Sequence, residues 1–230
     1  MVGGMAHDGG SDAGAEMKNL KSGSKEQLTS QNGETEEESI LEKYIQPCLG
    51  ELLGTTLFIA VACLSGLKNL EGGSTVAPAL ASGLALGALI VMLGKISGAH
   101  FNPAITLAVF ASGGLSPLFL LPYWFCQLCG GMLGAFLAKS MVNEAVFANG
   151  TGASCIVGEG STISEAVFVE LTFSFFLIFA VLMGVLGDRS KSELAPFSIS
   201  FTVMAAALGG GSISGACFES CSCLWSSCSG

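Results

Sequence analysis

Five apolar runs dominate the chain, at 46–67, 76–93, 117–138, 163–186 and 195–208. None alternates as a half-buried strand would, and none keeps a polar face. Apolar residues occur all the way round, as expected of helices solvated by lipid or by one another. The first four are long enough to cross a ~30 Å hydrocarbon layer. The fifth is short for a span and gives way to a loop expected at 209–217. A sixth run, Ile105–Gly114, is too short to cross. The pattern predicts an all-α, multi-pass membrane protein.

Composition agrees. Half the 230 residues are hydrophobic and only 12% are charged, about half the charged share of a soluble domain. Met1–Lys43 holds nine of the 18 acidic and four of the nine basic residues. It is expected to be a disordered acidic tail, and it does not read as a signal peptide. The net charge of −9 argues against nucleic-acid binding. With that tail in the cytosol, Lys43, Lys95, Arg189 and Lys191 fall inside and Lys68 and Lys139 outside, the bias of the positive-inside rule. The sequon Asn149-Gly150-Thr151 then lies outside, as a glycosylation site would. The plasma membrane is the expected location, with the inner mitochondrial membrane as the alternative. No enzyme signature is present: His7 lies in the tail, and His100 has neither nucleophile nor ligand partner in sequence. No cofactor is implied.

The chain also resembles itself at an offset of roughly 118 residues. ISGAH at 96–100 returns as ISGAC at 213–217, Ala77-Pro78 as Ala195-Pro196, and Glu51 as Glu170. Three spans separate the two glutamates, so the copies run in opposite directions through the bilayer, the inverted-repeat plan of many transport proteins. A carboxylate in a span costs about 2.5–3.5 kcal/mol. Glu51 and Glu170 are therefore read as struts that accept backbone N–H groups of an irregular loop; an ion or proton relay is the other reading. Three G-x-x-x-G steps, Gly83/Gly87, Gly94/Gly98 and Gly130/Gly134, suit close helix contact.

Asn102-Pro103-Ala104 carries the chemistry. It follows the loop Gly98-Ala99-His100-Phe101 and opens the short run. Proline is favoured at a first helical position, which makes Asn102 the cap of a half-helix that dips into the membrane. Its N-terminus carries partial positive charge, and irregular backbone at that depth is tolerated only where it lines a water-filled cavity. His100 reads as a loop-orienting side chain. Carbonyls, a capped dipole and an amide thus meet near the midplane, a combination that suits passage of small neutral solutes and repels cations.

In the setting SGAHFNPAITL, with QPCLGELLG at 46–54, PALASGLALG at 78–87, LPYW at 121–124, GGMLGA at 130–135 and LAPFSI at 194–199, the chain resembles the aquaporin (major intrinsic protein) family. The resemblance implies an aquaporin-like inverted-repeat helical bundle, here five spans plus one re-entrant half-helix, over 44–217. It also implies a homotetramer with one pore per subunit that passes water, and in one branch of the family ammonia and hydrogen peroxide. The pore constriction would fall on Ser82, Ala207 and Ala216, with Ser222 where the family carries arginine. Ser82 stands where that branch has histidine, which widens the filter. Gly215, Ala216 and Cys217 would form the second pore loop.

After Cys217 the family pattern stops. Residues 218–230 read FESCSCLWSSCSG. Back-translated with permitted synonymous codons and shifted by one base, they read LNPARAFGPAVV, the second capped half-helix and its arginine. The expectation is a frameshift that removes that half-helix and the sixth span, leaving this chain poorly conducting or non-conducting. A non-conducting regulatory form that joins full-length subunits is the alternative, and a glycerol channel is the near rival. Cys217, Cys221, Cys223 and Cys228 do not show zinc-ligand spacing. Cys48, Cys63, Cys126, Cys129 and Cys155 read as packing residues.

Overall fold

The computed structural model describes residues 40–68, 75–149, 157–158 and 160–215. Among these the structure is helical, with no strand. Helix α1 (Gln46–Lys68) is entered through a π-helical turn, Leu41–Ile45. Then come α2 (Val76–Ser97), the short α3 (Pro103–Ala111), α4 (Pro117–Ser140) and a six-residue α5 (Glu144–Asn149). Helix α6 (Ile163–Val181) runs into a second π turn, Leu182–Leu186, and α7 (Ala195–Ser214) completes the order. Among the described residues, five helices are long and apolar enough to cross a membrane.

Helical structure starts before the boundary expected from charge. Glu42 and Lys43, assigned to the tail, lie in the entering π turn. The larger correction concerns the fifth span. The loop expected at 209–217 is helix as far as Ser214. Each glycine in a helix costs about 1 kcal/mol against alanine, which disfavours helix at Gly209-Gly210-Gly211. In the fold those glycines admit α6: a Cβ at Gly210 would lie 2.7 Å from Val169 and 2.9 Å from the Phe173 ring. Close packing offsets the poor propensity, and α7 reaches 20 residues.

The distribution of polarity is that of a membrane protein. The interior holds Glu51, Thr55, Thr106 and Gln127, all fully buried, while Leu84, Met92, Leu121, Phe125 and Phe175 are more than 60% exposed. In water that arrangement would expose a large apolar surface; in lipid it is the stable one.

Two glycine pairs make the helix contacts. A Cβ at Gly130 would meet Leu52 O at 2.7 Å, and one at Gly134 would meet Thr56 O at 2.5 Å, so α4 lies directly on the α1 backbone. Gly83 and Gly87 do the same for α2 against Ser200 and Met204 of α7. The third pair does not belong with them. Gly94 faces only Ile90 of its own helix, and Gly98 is the left-handed cap of α2, with φ 87°.

These contacts set opposite expectations for two glycine substitutions. Gly134→Val should lower unfolding stability in detergent by about 1–3 kcal/mol or more through overpacking. Gly94→Ala should leave it unchanged or raise it by up to about 1 kcal/mol through helix propensity. Unfolding curves of the two variants check the pair.

Candidate functional site

The chain between α2 and α3 is the most constrained part of the structure. Ser97 ends α2, and Gly98 caps it in the left-handed region, its N–H donating to Gly94 O at 3.1 Å. Two further residues without glycine's freedom follow in that region, Ala99 at φ 53° and Phe101 at φ 50°. Each costs roughly 1–2 kcal/mol, so the surroundings must impose the shape.

Glu51 imposes it. Its Oε1 accepts from Ser97 Oγ at 2.7 Å and from the His100 N–H at 3.0 Å. Its Oε2 accepts from the Phe101 N–H at 2.7 Å and from Gln127 Nε2 at 2.8 Å. All four partners are donors, which an ionised carboxylate can satisfy at once. Hydrogen bonds to a charged group contribute about 1.5–3 kcal/mol each, enough together to outweigh the strained backbone. The Ala99 N–H donates to Ser97 Oγ at 3.1 Å, so every amide from Gly98 to Phe101 has an acceptor. The Phe101 ring fills the space that Gly54 leaves: a Cβ there would lie 2.0 Å from it.

A second group of bonds ties this clamp to the half-helix. Gln127 Nε2 also donates to Thr106 Oγ1 at 2.8 Å, and the Thr106 hydroxyl donates to Asn102 O at 3.0 Å. His100 Nδ1 lies 3.2 Å from the same Thr106 oxygen. With the Thr106 proton directed at Asn102 O, the neutral imidazole that fits this contact is the one with its proton on Nδ1. Tyr123 packs edge-on against the imidazole at 5.6 Å and donates from Oη to Ser97 O at 2.7 Å. Trp124 Nε1 donates to Pro103 O at 3.1 Å.

Asn102 caps α3 with extended backbone, its Oδ1 accepting from the Ala104 N–H at 2.9 Å, and Pro103 takes the first helical position. The helix is nine residues long, about 14 Å at 1.5 Å per residue, less than half a bilayer core. It turns back at Gly113, φ 77°, with the Gly114 N–H on Val109 O at 2.9 Å. The N-terminus of α3, the amide of buried Asn102 and the clamped loop thus meet inside the bundle.

Other candidate residues are placed as follows. Ser82 and Ala207 are half-buried on α2 and α7, the helices joined at Gly83 and Met204. Asn149 ends α5, while Gly150 and Thr151 of its sequon lie outside the described residues. Ala216, Cys217 and Ser222 also lie outside them. The second repeat begins as the first does: Glu170 accepts from Ser214 Oγ as Glu51 does from Ser97, and Gly215 caps α7 at φ 79°. Glu170 is half-exposed where Glu51 is sealed, and a cavity of about 360 Å³ lined by Val157, Ala166, Glu170, Leu171 and Ser214 opens beside it.

Sequence reasoning missed Ser97, Thr106, Tyr123, Trp124 and Gln127. Only Gln127 gave a signal, as a polar side chain alone in an apolar span.

The family model for Major intrinsic protein matches residues 38–224. The chain belongs to the major intrinsic protein family. It is 50% identical over 179 residues to Aquaporin-8 of Rattus norvegicus, covering 77% of this chain and 68% of that one. It is 33% identical over 180 residues to Aquaporin TIP1-2 of Zea mays, covering 73% and 68%. The crystal structure of the aquaglyceroporin from Plasmodium falciparum superposes with a TM-score of 0.70 at 20% identity, over 80% of each chain, a likeness of fold. Members of this family are channels for water and small solutes rather than enzymes, and this chain is accordingly a multi-pass membrane protein.

Replacing the carboxylate by an amide separates the two struts. Glu51→Gln puts an NH2 group against donors and forfeits two charge-assisted bonds or more, at about 1.5–3 kcal/mol each. The variant should melt well below the parent or fail to accumulate in the membrane. Glu170→Gln, beside a cavity and half-exposed, should lower the melting midpoint by less than half as much. Thermal melts of both in one detergent decide between this order and equal effects.

Proposed function

We propose that the fold serves passive, proton-excluding diffusion of water and compact neutral solutes along a path past Asn102. The observation that carries this reading is the nine-residue half-helix capped by Asn102 and preceded by a partly buried loop whose N–H groups all have acceptors. The loop carbonyls of Gly98–His100 accept hydrogen bonds from a single file of solute. The Asn102 amide, its carbonyl end fixed on Ala104, donates to the molecule at the centre. The positive pole of α3 raises the energy of hydronium and other cations there. Ser82, Ala207 and Ala216 set the constriction, and small side chains at all three favour ammonia and hydrogen peroxide beside water.

Conduction at full rate is assigned to the form in which the shifted frame supplies LNPAR after Cys217, giving Asn102 a mate of opposite direction. That form assembles as a homotetramer, in the plasma membrane with its N-terminus in the cytosol and Asn149 outside, where it is glycosylated. Alanine after the recovered arginine, where glycerol-passing relatives carry aspartate, favours water and compact solutes over glycerol.

Stopped-flow osmotic shrinkage of proteoliposomes tests the reading. The frame-restored chain should shrink vesicles in an osmotic step far faster than lipid alone and carry no proton current. Its Asn102→Ala variant, which also loses a cap worth about 1 kcal/mol, should conduct less. The chain as written should behave like empty vesicles. Equal water permeability from the written and restored chains would contradict the need for a second half-helix, and ionic current from the restored chain would contradict a neutral-solute pore.

A further inference from the structure

We propose that Cys48 and Cys126 form a dithiol site across the contact of α1 and α4, one that closes to a disulfide on two-electron oxidation by a peroxide. The inference stands on the packing of these two helices and does not depend on the conduction proposed above.

The register of the contact places the pair. Gly130 lies on Leu52 O and Gly134 on Thr56 O, so the two helices run the same way and stay matched turn for turn. One turn before Gly130 and Leu52 stand Cys126 and Cys48. An independent bond fixes the same register, Gln127 Nε2 to Glu51 Oε2 at 2.8 Å, from the residue after Cys126 to the residue one turn beyond Cys48. A disulfide needs Cα atoms about 4.4–6.8 Å apart. Typical helix axes pack 8–10 Å apart, and glycine at the contact is what lets backbones come closer. The two thiols interact with each other across the seam. Both side chains are half-buried and so open to a small oxidant, unlike Cys63, which is sealed in the core.

The chemistry balances. One thiol attacks the peroxide: an S–O bond forms, the O–O bond breaks, and water or an alcohol leaves, giving a sulfenic acid. The second sulfur attacks the first: the S–S bond forms, the S–O bond breaks, and its proton leaves with the hydroxyl as water. The dithiol loses two electrons and the peroxide gains them. Cys129, one turn along α4 from Cys126 and likewise half-buried, is the competing partner. The bridge would bind α1 to α4 within a turn of Glu51 and Gln127, the two side chains that hold the loop.

Purified protein in detergent, treated with hydrogen peroxide, alkylated and digested, should yield a Cys48–Cys126 linked peptide lighter by the two thiol hydrogens. Alkylation of both residues should be lost together, and a reductant should restore both. The link should persist in Cys129→Ser and vanish in Cys126→Ser. Linkage of Cys126 to Cys129, linkage between chains, oxidation of one thiol to a higher oxide without a bridge, or full alkylation of Cys48 and Cys126 after treatment would each overturn the assignment. The parent protein alone suffices to decide, whether or not the variants accumulate.

Discussion

A carboxylate with no basic partner among the described residues stands at the centre of the bundle, and its two oxygens organise what surrounds them. Glu51 is fully buried, a position that would exact a large penalty of an unpaired charge. Four donors surround it, two of them backbone amides of a loop that could not otherwise satisfy them. The need is mutual. The loop requires an acceptor because its residues at φ 53° and 50° are outside any regular hydrogen-bonding ladder, and the carboxylate requires donors because lipid offers none.

Everything nearby serves that exchange. Gly54 is bare so that the Phe101 ring can lie against α1, and Gly130 and Gly134 are bare so that α4 can bring Gln127 to Glu51. Gln127 passes the constraint to Thr106, and Thr106 to Asn102 and His100. The orientation of the half-helix and of its capping amide is thus the end of a chain of contacts that begins with helix packing. The second repeat carries the same first link, Glu170 to Ser214, beside a cavity in place of a sealed core.

Much of this was legible in the sequence, because a bilayer leaves few options. Length and apolarity located the spans, and the matched glutamates and prolines exposed the repeat. Asn-Pro at the head of a short run located the half-helix, since cap and first-turn preferences are local. What stayed hidden depends on partners distant in sequence. Gly209 and Gly210 continue a helix where Phe173 and Val169 pack into the space beside them. Gly94 and Gly98 share their spacing with true contact glycines, yet one meets only a side chain of its own helix and the other caps a helix. Ser97 and Thr106 look like ordinary polar residues until the fold brings them to Glu51 and Gln127.

The most direct measurement is residue-resolved hydrogen exchange across Gly98–Phe101 in the folded protein. If the Glu51 carboxylate holds the loop, the His100 and Phe101 amides should exchange as slowly as those in the middle of α2, although neither bonds to a backbone carbonyl. Exchange of these two amides at the rate of an open loop, with α2 still protected, would contradict the account.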